Sequence, residues 1–185
     1  MNSSDAIEMI RDAVGISAGV WADLGAGTGT FTRALTELLG TGSTVYAVDG
    51  DARAVRALRE LSSSSSGDVS VTAVNADFTR PLELPGLARE AARLDGILLA
   101  NALHFVPDAE RVLSGLVKQL RPGGRVIVVE YDRRSKPVGA LPDNGVALAA
   151  TRGDGGPHGA EDHGDQTVVV LWNPLRRNGD AAHLR

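Results

Sequence analysis

The apolar run VWADL at Val20–Leu24 breaks into three glycines spaced two apart, Gly25, Gly27 and Gly29, and an amphipathic helix follows at once. A strand that ends in such a turn and resumes as a helix can bring backbone N–H groups close against a ligand, because no Cβ stands in the way. That constrains the chain to an α/β organisation with its binding edge at the turn. The spacing is not the dinucleotide one. A G-x-G-x-x-G pattern would place its third glycine at position 30, and position 30 is Thr30.

The rest of the chain supports the α/β reading. Short apolar runs recur at 20–24, 44–48, 69–74, 96–100 and 125–129, most of them β-branched and too short for helices. Between them, 31–39, 52–61 and 109–120 carry apolar residues at helical spacing. Strand–helix alternation of this kind predicts a doubly wound, Rossmann-like, mostly parallel sheet with helices on both faces. Pro122-Gly123-Gly124 predicts a turn that ends one helix and starts the fifth strand, and the serine run 62–66 predicts a surface connection.

Composition narrows the partners. The 185 residues predict one domain. Net charge is −4 with no basic tract, so a nucleic-acid backbone is not an expected partner. There are no cysteines, which removes disulfides and thiolate metal ligands, and no metal site is expected. The first residues, MNSSDAIEMIRDAV, lack the basic and apolar regions of a signal peptide, and no run approaches 18 apolar residues. The expectation is a cytoplasmic protein without a membrane span, its oligomeric state open.

Asp49 closes the second strand 26 positions after Asp23. In a βαβ unit this places it beside the glycine turn, where a carboxylate can accept from both ribose hydroxyls. The plain alternative is a cap for the helix that starts at Asp51 or Ala52. Asp77 and Phe78 end the third strand and suit an adenine: the carboxylate accepts from the exocyclic amine, and the ring offers an apolar face. A plain strand-end turn is the rival reading and, taken alone, the preferred one. Asn101 ends the fourth strand. In a sheet of order 3-2-1-4-5 that turn shares a crevice with Gly25–Gly29, at the switch point where ligands sit. His104 follows it and is a weak candidate for a general base; a partly exposed turn histidine is the alternative.

Residues 20–131 resemble a class I S-adenosylmethionine (SAM)-dependent methyltransferase of the small bacterial kind. The strings that carry the resemblance are VWADLGAGTGTFT, VYAVDGDARAV, NADFTRPL, LLANALHFVPD and LRPGGRVIVVEYD. The resemblance implies SAM held by Asp23, Gly25, Ala26, Gly27, Gly29, Asp49, Asp77 and Phe78, with Asn101 nearby. It implies methyl transfer to a small-molecule acceptor by in-line displacement, in which positioning supplies most of the acceleration. It leaves the acceptor open. No D/N-P-P-Y/F string is present, which argues against adenine or glutamine-amide methylation, and the lack of cysteine excludes the cytosine C5 mechanism. A non-catalytic SAM-binding protein is the alternative; Thr30 disfavours an NAD or nucleotide-sugar enzyme.

The resemblance covers a SAM-binding domain at 1–132 and stops there. Residues 133–185 are rich in Gly, Pro, Asp and His, and predict a low-complexity, mostly disordered tail. At most a short helix at 146–150 and a strand at 168–172 are expected. The family's closing antiparallel strands are accordingly expected to be missing or altered, leaving the edge of strand five open. Read one base later, permissible codons turn 137–142 into QWVPYP and 166–180 into TRPSSFFGIRYAAM. Both resemble the family's usual ending and suggest a shifted reading frame from about Ser135.

Overall fold

The computed structural model describes residues 2–15, 18–64, 68–87, 93–131, 147–152 and 166–172. In chain order these form α1 (Ser3–Val14), β1 (Val20–Leu24), α2 (Thr30–Leu38), β2 (Thr44–Asp49), α3 (Ala52–Ser64), β3 (Ser70–Asn75) and β4 (Leu94–Ala100). A single 3-10 turn (Leu103–Phe105), α4 (Ala109–Val117), β5 (Leu120–Tyr131), β6 (Ala147–Arg152) and β7 (Gln166–Trp172) follow.

One sheet runs in the order β3-β2-β1-β4-β5-β7-β6. The first five strands are parallel and stand in the 3-2-1-4-5 order read from the sequence. β1 lies between β2 and β4, so the chain leaves it in one direction and returns on its other side. That reversal opens the crevice at the carboxyl ends of β1 and β4.

The strands bury both faces. Trp21, Val45, Leu98 and Ile127 pack with Ile10 and Val14 of α1 and with Phe31, Leu35 and Leu38 of α2. Ala22, Leu24, Ile97 and Leu99 pack with Val112, Leu113 and Leu116 of α4. Neighbouring residues of one strand thus feed opposite layers, which is why the runs read as continuously apolar rather than alternating.

α1 was not singled out by apolar periodicity, yet its signals are present. Asn2 and Asp5 form a reciprocal cap: the Asp5 N–H donates to Asn2 Oδ1 at 3.0 Å and the Asn2 N–H to Asp5 Oδ2 at 2.9 Å. Ala6, Ile10, Ala13 and Val14 make its buried stripe. Arg125 Nη1 donates to the Ala13 carbonyl at 2.7 Å and fastens the end of this helix to β5.

Two boundaries move. α4 stops at Val117, and β5 begins already at Leu120, so Pro122-Gly123-Gly124 forms an irregular stretch within β5 rather than a turn before it. The register between β4 and β5 shifts between Leu94 and Gly96 to accommodate it, and Gly123 takes φ +77°.

Beyond β5 the sheet continues. β7 pairs antiparallel with β5 from Arg125↔Trp172 to Tyr131↔Gln166, and β6 pairs antiparallel with β7. Where a helix was expected at 146–150, residues 147–152 form the strand β6, and the edge of β5, expected to stand open, carries β7. A five-residue apolar patch is too short to hold an isolated helix in water, whereas an adjacent strand offers it main-chain partners immediately. The shifted-frame string at 137–142, and the rest of 133–185 apart from these two strands, lie outside the described residues. Among the described residues no helix is long and apolar enough to cross a membrane.

Gly96 gives a test of the core. It pairs with Trp21 across β1 and β4, and a Cβ on it would sit 2.3 Å from the indole ring. Gly96→Ala is expected to destabilise the fold by about 1–3 kcal/mol, the usual cost of overpacking, read from the denaturant midpoint. An unchanged midpoint would show that Trp21 has room to move.

Candidate functional site

The three glycines of the turn do three different things. All take positive φ: +73° at Gly25, +55° at Gly27 and +87° at Gly29. A Cβ on Gly25 would lie 2.7 Å from Ala102 Cβ, so Gly25 lets the β1 turn close against the β4 turn. A Cβ on Gly29 would meet Leu61 and Leu58 at 2.9 and 3.1 Å, so Gly29 lets α2 approach α3. A Cβ on Gly27 would meet nothing within 4 Å. Gly27 therefore leaves space open on its own account. The N–H groups of Gly25 and Ala26 both donate to the Val48 carbonyl, at 2.9 and 3.0 Å, which ties the turn to β2.

Asp49 extends that tie. Its Oδ2 accepts from the Gly27 N–H and its Oδ1 from the Asp51 N–H, both at 2.8 Å. The capping at the start of α3 falls to Asp51, whose Oδ1 accepts from the Arg53 N–H at 2.6 Å. Asp49 thus fixes the glycine turn, and each of its oxygens keeps a second lone pair.

Asp23 is almost fully buried. The Thr32 hydroxyl donates to its Oδ2 at 2.6 Å, while its Oδ1 is buried without a hydrogen-bond partner. Burial pushes this carboxyl up to about 7; the Thr32 hydroxyl pulls it down and the neighbouring charge of Asp49 pushes it further up. Asn101 shows the same incompleteness. It is the only described non-glycine residue with positive φ, at +53°, and its Oδ1 is also buried and unpartnered. Strained backbone and unsatisfied polar atoms at a sheet's switch point mark a place built for something else to complete.

A cleft of about 360 Å³ opens there, lined among others by Gly25, Asp49, Asp77, Phe78, Asn101 and Phe105. Its described lining holds two carboxylates and no basic side chain. Of the residues singled out in the sequence, the cleft gathers Gly25, Asp49, Asp77, Phe78 and Asn101. Asp23, Ala26, Gly27, Gly29 and His104 are not in its lining. Asp77 also makes the strand-end turn: its Oδ1 accepts from the Thr79 N–H at 2.9 Å and the Thr79 hydroxyl at 2.6 Å, and Arg80 pairs with its Oδ2 at 3.3 Å. The Thr79 hydroxyl, more than any other neighbour, holds the Asp77 carboxyl below its ordinary value.

The sequence reading missed the lining by Ala102, Phe105 and Val106, and it missed Glu130. Thr79 was legible as the acceptor-pairing hydroxyl two residues after an Asp. Glu130 was legible only as the acid that ends an apolar run. Its partner, His104, lies elsewhere in the sequence.

A model of the methyltransferase domain family matches residues 22–126, from the third residue of β1 into β5. The chain belongs to that family. The methyltransferase domain is 28% identical over 129 residues to a ubiquinone/menaquinone biosynthesis C-methyltransferase of Hahella chejuensis, covering 69% of this chain and 49% of that protein. It thus spans about half the length of the curated relatives of that kind. Among solved structures, a SAM-dependent methyltransferase from Aquifex aeolicus superposes with a TM-score of 0.64 at 15% identity, over 93% of this chain and 97% of that one. Magnesium protoporphyrin IX methyltransferase from Synechocystis, with bound SAM, gives 0.62 at 14%, over 92% and 77%. At those identities the likeness is one of fold.

The cofactor of such a domain is SAM, and the residues present fit it. The two orphaned buried oxygens, Oδ1 of Asn101 and Oδ1 of Asp23 in its ionised form, accept hydrogen bonds, so a ligand that brings donors fits them. A cleft whose described lining holds two carboxylates and no basic side chain favours a ligand that is cationic near its reacting end over one carrying a pyrophosphate.

Proposed function

We propose that the chain transfers the methyl group of SAM to a small-molecule acceptor by in-line displacement. The observation that carries this reading is the buried Oδ1 of Asp23, without a hydrogen-bond partner among the described residues, at the end of the strand that leads into the turn where Gly27 keeps space open. In this reading Asp49 accepts from the ribose hydroxyls with its spare lone pairs, and Phe78 lies along the adenine, with Asp77 at its edge. Asn101 accepts from the ligand at the β4 turn. Gly25, Ala26 and Gly29 shape the turn. Gly29 caps α2 without a side-chain hydrogen bond, which suits a carboxylate at the first-turn N–H groups. SAM supplies an activated methyl on a sulfonium; the protein's part is to orient it, keep water away and hold the acceptor in line.

Calorimetric titration with SAM, S-adenosylhomocysteine and NAD tests the reading. Binding of the first two and not the third is expected. NAD binding alone would overturn it. Asp49→Ala refines the assignment. The lost ribose contacts should weaken SAM binding by about 2 kcal/mol or more, since hydrogen bonds to charged groups are worth roughly 1.5–3 kcal/mol each. The two N–H groups it leaves unpaired should also lower the melting temperature. A lowered melting temperature with unchanged affinity would confine Asp49 to the architecture.

A further inference from the structure

Glu130, at the end of β5, makes three contacts with one short segment. Its Oε1 accepts from the Leu103 N–H at 2.8 Å and from the His104 N–H at 3.3 Å. Its Oε2 stands 2.7 Å from His104 Nδ1. An ionised carboxylate only accepts, so Nδ1 carries the proton and donates. In the neutral imidazole this makes Nε2 the acceptor. The pair is shielded on the carboxylate side and open on the other: the Glu130 side chain is 20% exposed and that of His104 44%. The turn that holds the imidazole also borders the cleft, because Ala102, Phe105 and Val106 line it on both sides of His104 in sequence. Phe105 is 78% exposed and is the one large hydrophobic among the described residues so displayed, with its ring centroid 3.9 Å from that of His104.

A basic nitrogen whose tautomer is fixed by a carboxylate, next to an aromatic face presented to solvent at the mouth of a cofactor cleft, suits one kind of acceptor. An amine acceptor would need only its neutral form, and a thiol would ionise with little help. A hydroxyl needs its proton taken. We propose that Glu130 is the positioning residue for His104, and that His104 accepts the proton of an ionisable hydroxyl borne on a flat, apolar acceptor that rests against Phe105. This deepens the methyl-transfer reading and rests on it. In the step, the acceptor's O–H bond breaks, its electron pair stays on oxygen and its proton forms a bond to Nε2, from which it later passes to water. The anion so formed is nucleophilic at oxygen and, through the ring, at the adjacent carbon. The position of the new methyl in the product distinguishes the two.

The test is the isosteric substitution Glu130→Gln, with 4-nitrophenol as probe. The two backbone N–H groups hold the remaining oxygen where Oε1 was, so the new amide nitrogen faces Nδ1 and donates to it. His104 must then carry its proton on Nε2. Imidazole nitrogen shifts should report Nδ1–H in the wild-type protein and Nε2–H in the variant. The cofactor-free wild-type protein should raise the anion fraction of bound 4-nitrophenol, read by its colour, and the variant should not. With SAM present, the variant should lose about 100-fold or more in kcat with KM and SAM affinity within about twofold, the pattern of a lost transition-state interaction. His104→Gln leaves both backbone contacts of Glu130 in place and should show the same loss, which keeps the pair testable if the Glu130 variant does not fold.

A wild-type tautomer in Glu130→Gln, an anion fraction independent of His104, or 4-nitroaniline methylated as fast as 4-nitrophenol would each overturn the proposal. Failure of the wild-type protein to bind SAM would overturn the methyl-transfer reading instead. The nitrogen shifts and the nitrophenol anion, both read without cofactor, still decide the pair.

Discussion

Gly27→Val is expected to abolish measurable SAM binding, a loss of at least 100-fold, while the protein still unfolds cooperatively. The two halves of that expectation have separate causes. A Cβ at Gly27 meets no protein atom within 4 Å, so the valine does not clash with the fold. The residue sits at φ +55°, where a β-branched side chain is strained by about 1–3 kcal/mol, which lowers the melting temperature without preventing folding. The same side chain fills the space that the glycine keeps clear, and it disturbs the N–H that Asp49 accepts at 2.8 Å. A 100-fold loss corresponds to about 2.7 kcal/mol, within reach of steric exclusion alone. Gly25→Ala provides the contrast. Its Cβ would stand 2.7 Å from Ala102 Cβ, so this smaller change should cost more stability than Gly27→Ala. Calorimetry and thermal melting on the three variants decide the matter. SAM affinity retained in a folded Gly27→Val protein would place the cofactor away from this turn.

The second large effect concerns Asp23 and pH. Burial raises its carboxyl from 3.8 to about 7 in the folded protein. Between these values the folded state binds more protons at this site than the unfolded state. Its contribution to stability is therefore fully present below about 4, falls as pH rises through the window to about 7, and is constant above it. Asp23→Asn, a neutral group of the same shape that can still accept from Thr32, should remove this dependence. It should make the ligand-free protein more stable above pH 7, by an amount on the order of a few kcal/mol. Cofactor binding should move the other way. A cationic ligand beside Oδ1 favours the ionised carboxylate, so SAM affinity should rise with pH up to about 7, with proton release on binding below that value. Asp23→Asn should lose both the affinity and the proton release. Denaturation curves at several pH values, with calorimetry in buffers of different ionisation enthalpy, measure both. A pH-independent affinity would show that Asp23 remains protonated under the bound ligand and acts through shape alone.

The parallel layer of the fold was legible because its signals are local and redundant. Five short apolar runs, most of them β-branched, three amphipathic helices and a turn of three glycines all demand the same alternation, and a parallel sheet requires crossovers that the intervening helices supply. α1 was signalled too, by a capping pair and an apolar stripe, but it precedes the first strand and takes no part in the alternation that guided the reading. β6 was not legible. Ala147–Arg152 carries little strand preference of its own, and its state follows from pairing with β7, which in turn follows from the exposed ladder of β5.

The same division holds for the site. The sequence by itself determined the glycine turn, the acid that ends β2, the acid two residues beyond β3 and the asparagine just beyond β4, because each follows a strand whose direction fixes the sheet edge it reaches. Only the tertiary structure decided what each of them does. It gave Gly25, Gly27 and Gly29 different neighbours, left Oδ1 of Asp23 and of Asn101 without donors, and turned both oxygens of Asp49 onto backbone N–H groups. It also joined His104 to Glu130 across 26 positions. A side chain's chemistry is set by the few atoms around it. Those atoms come from distant parts of the chain, and sequence spacing carries no record of which of them meet.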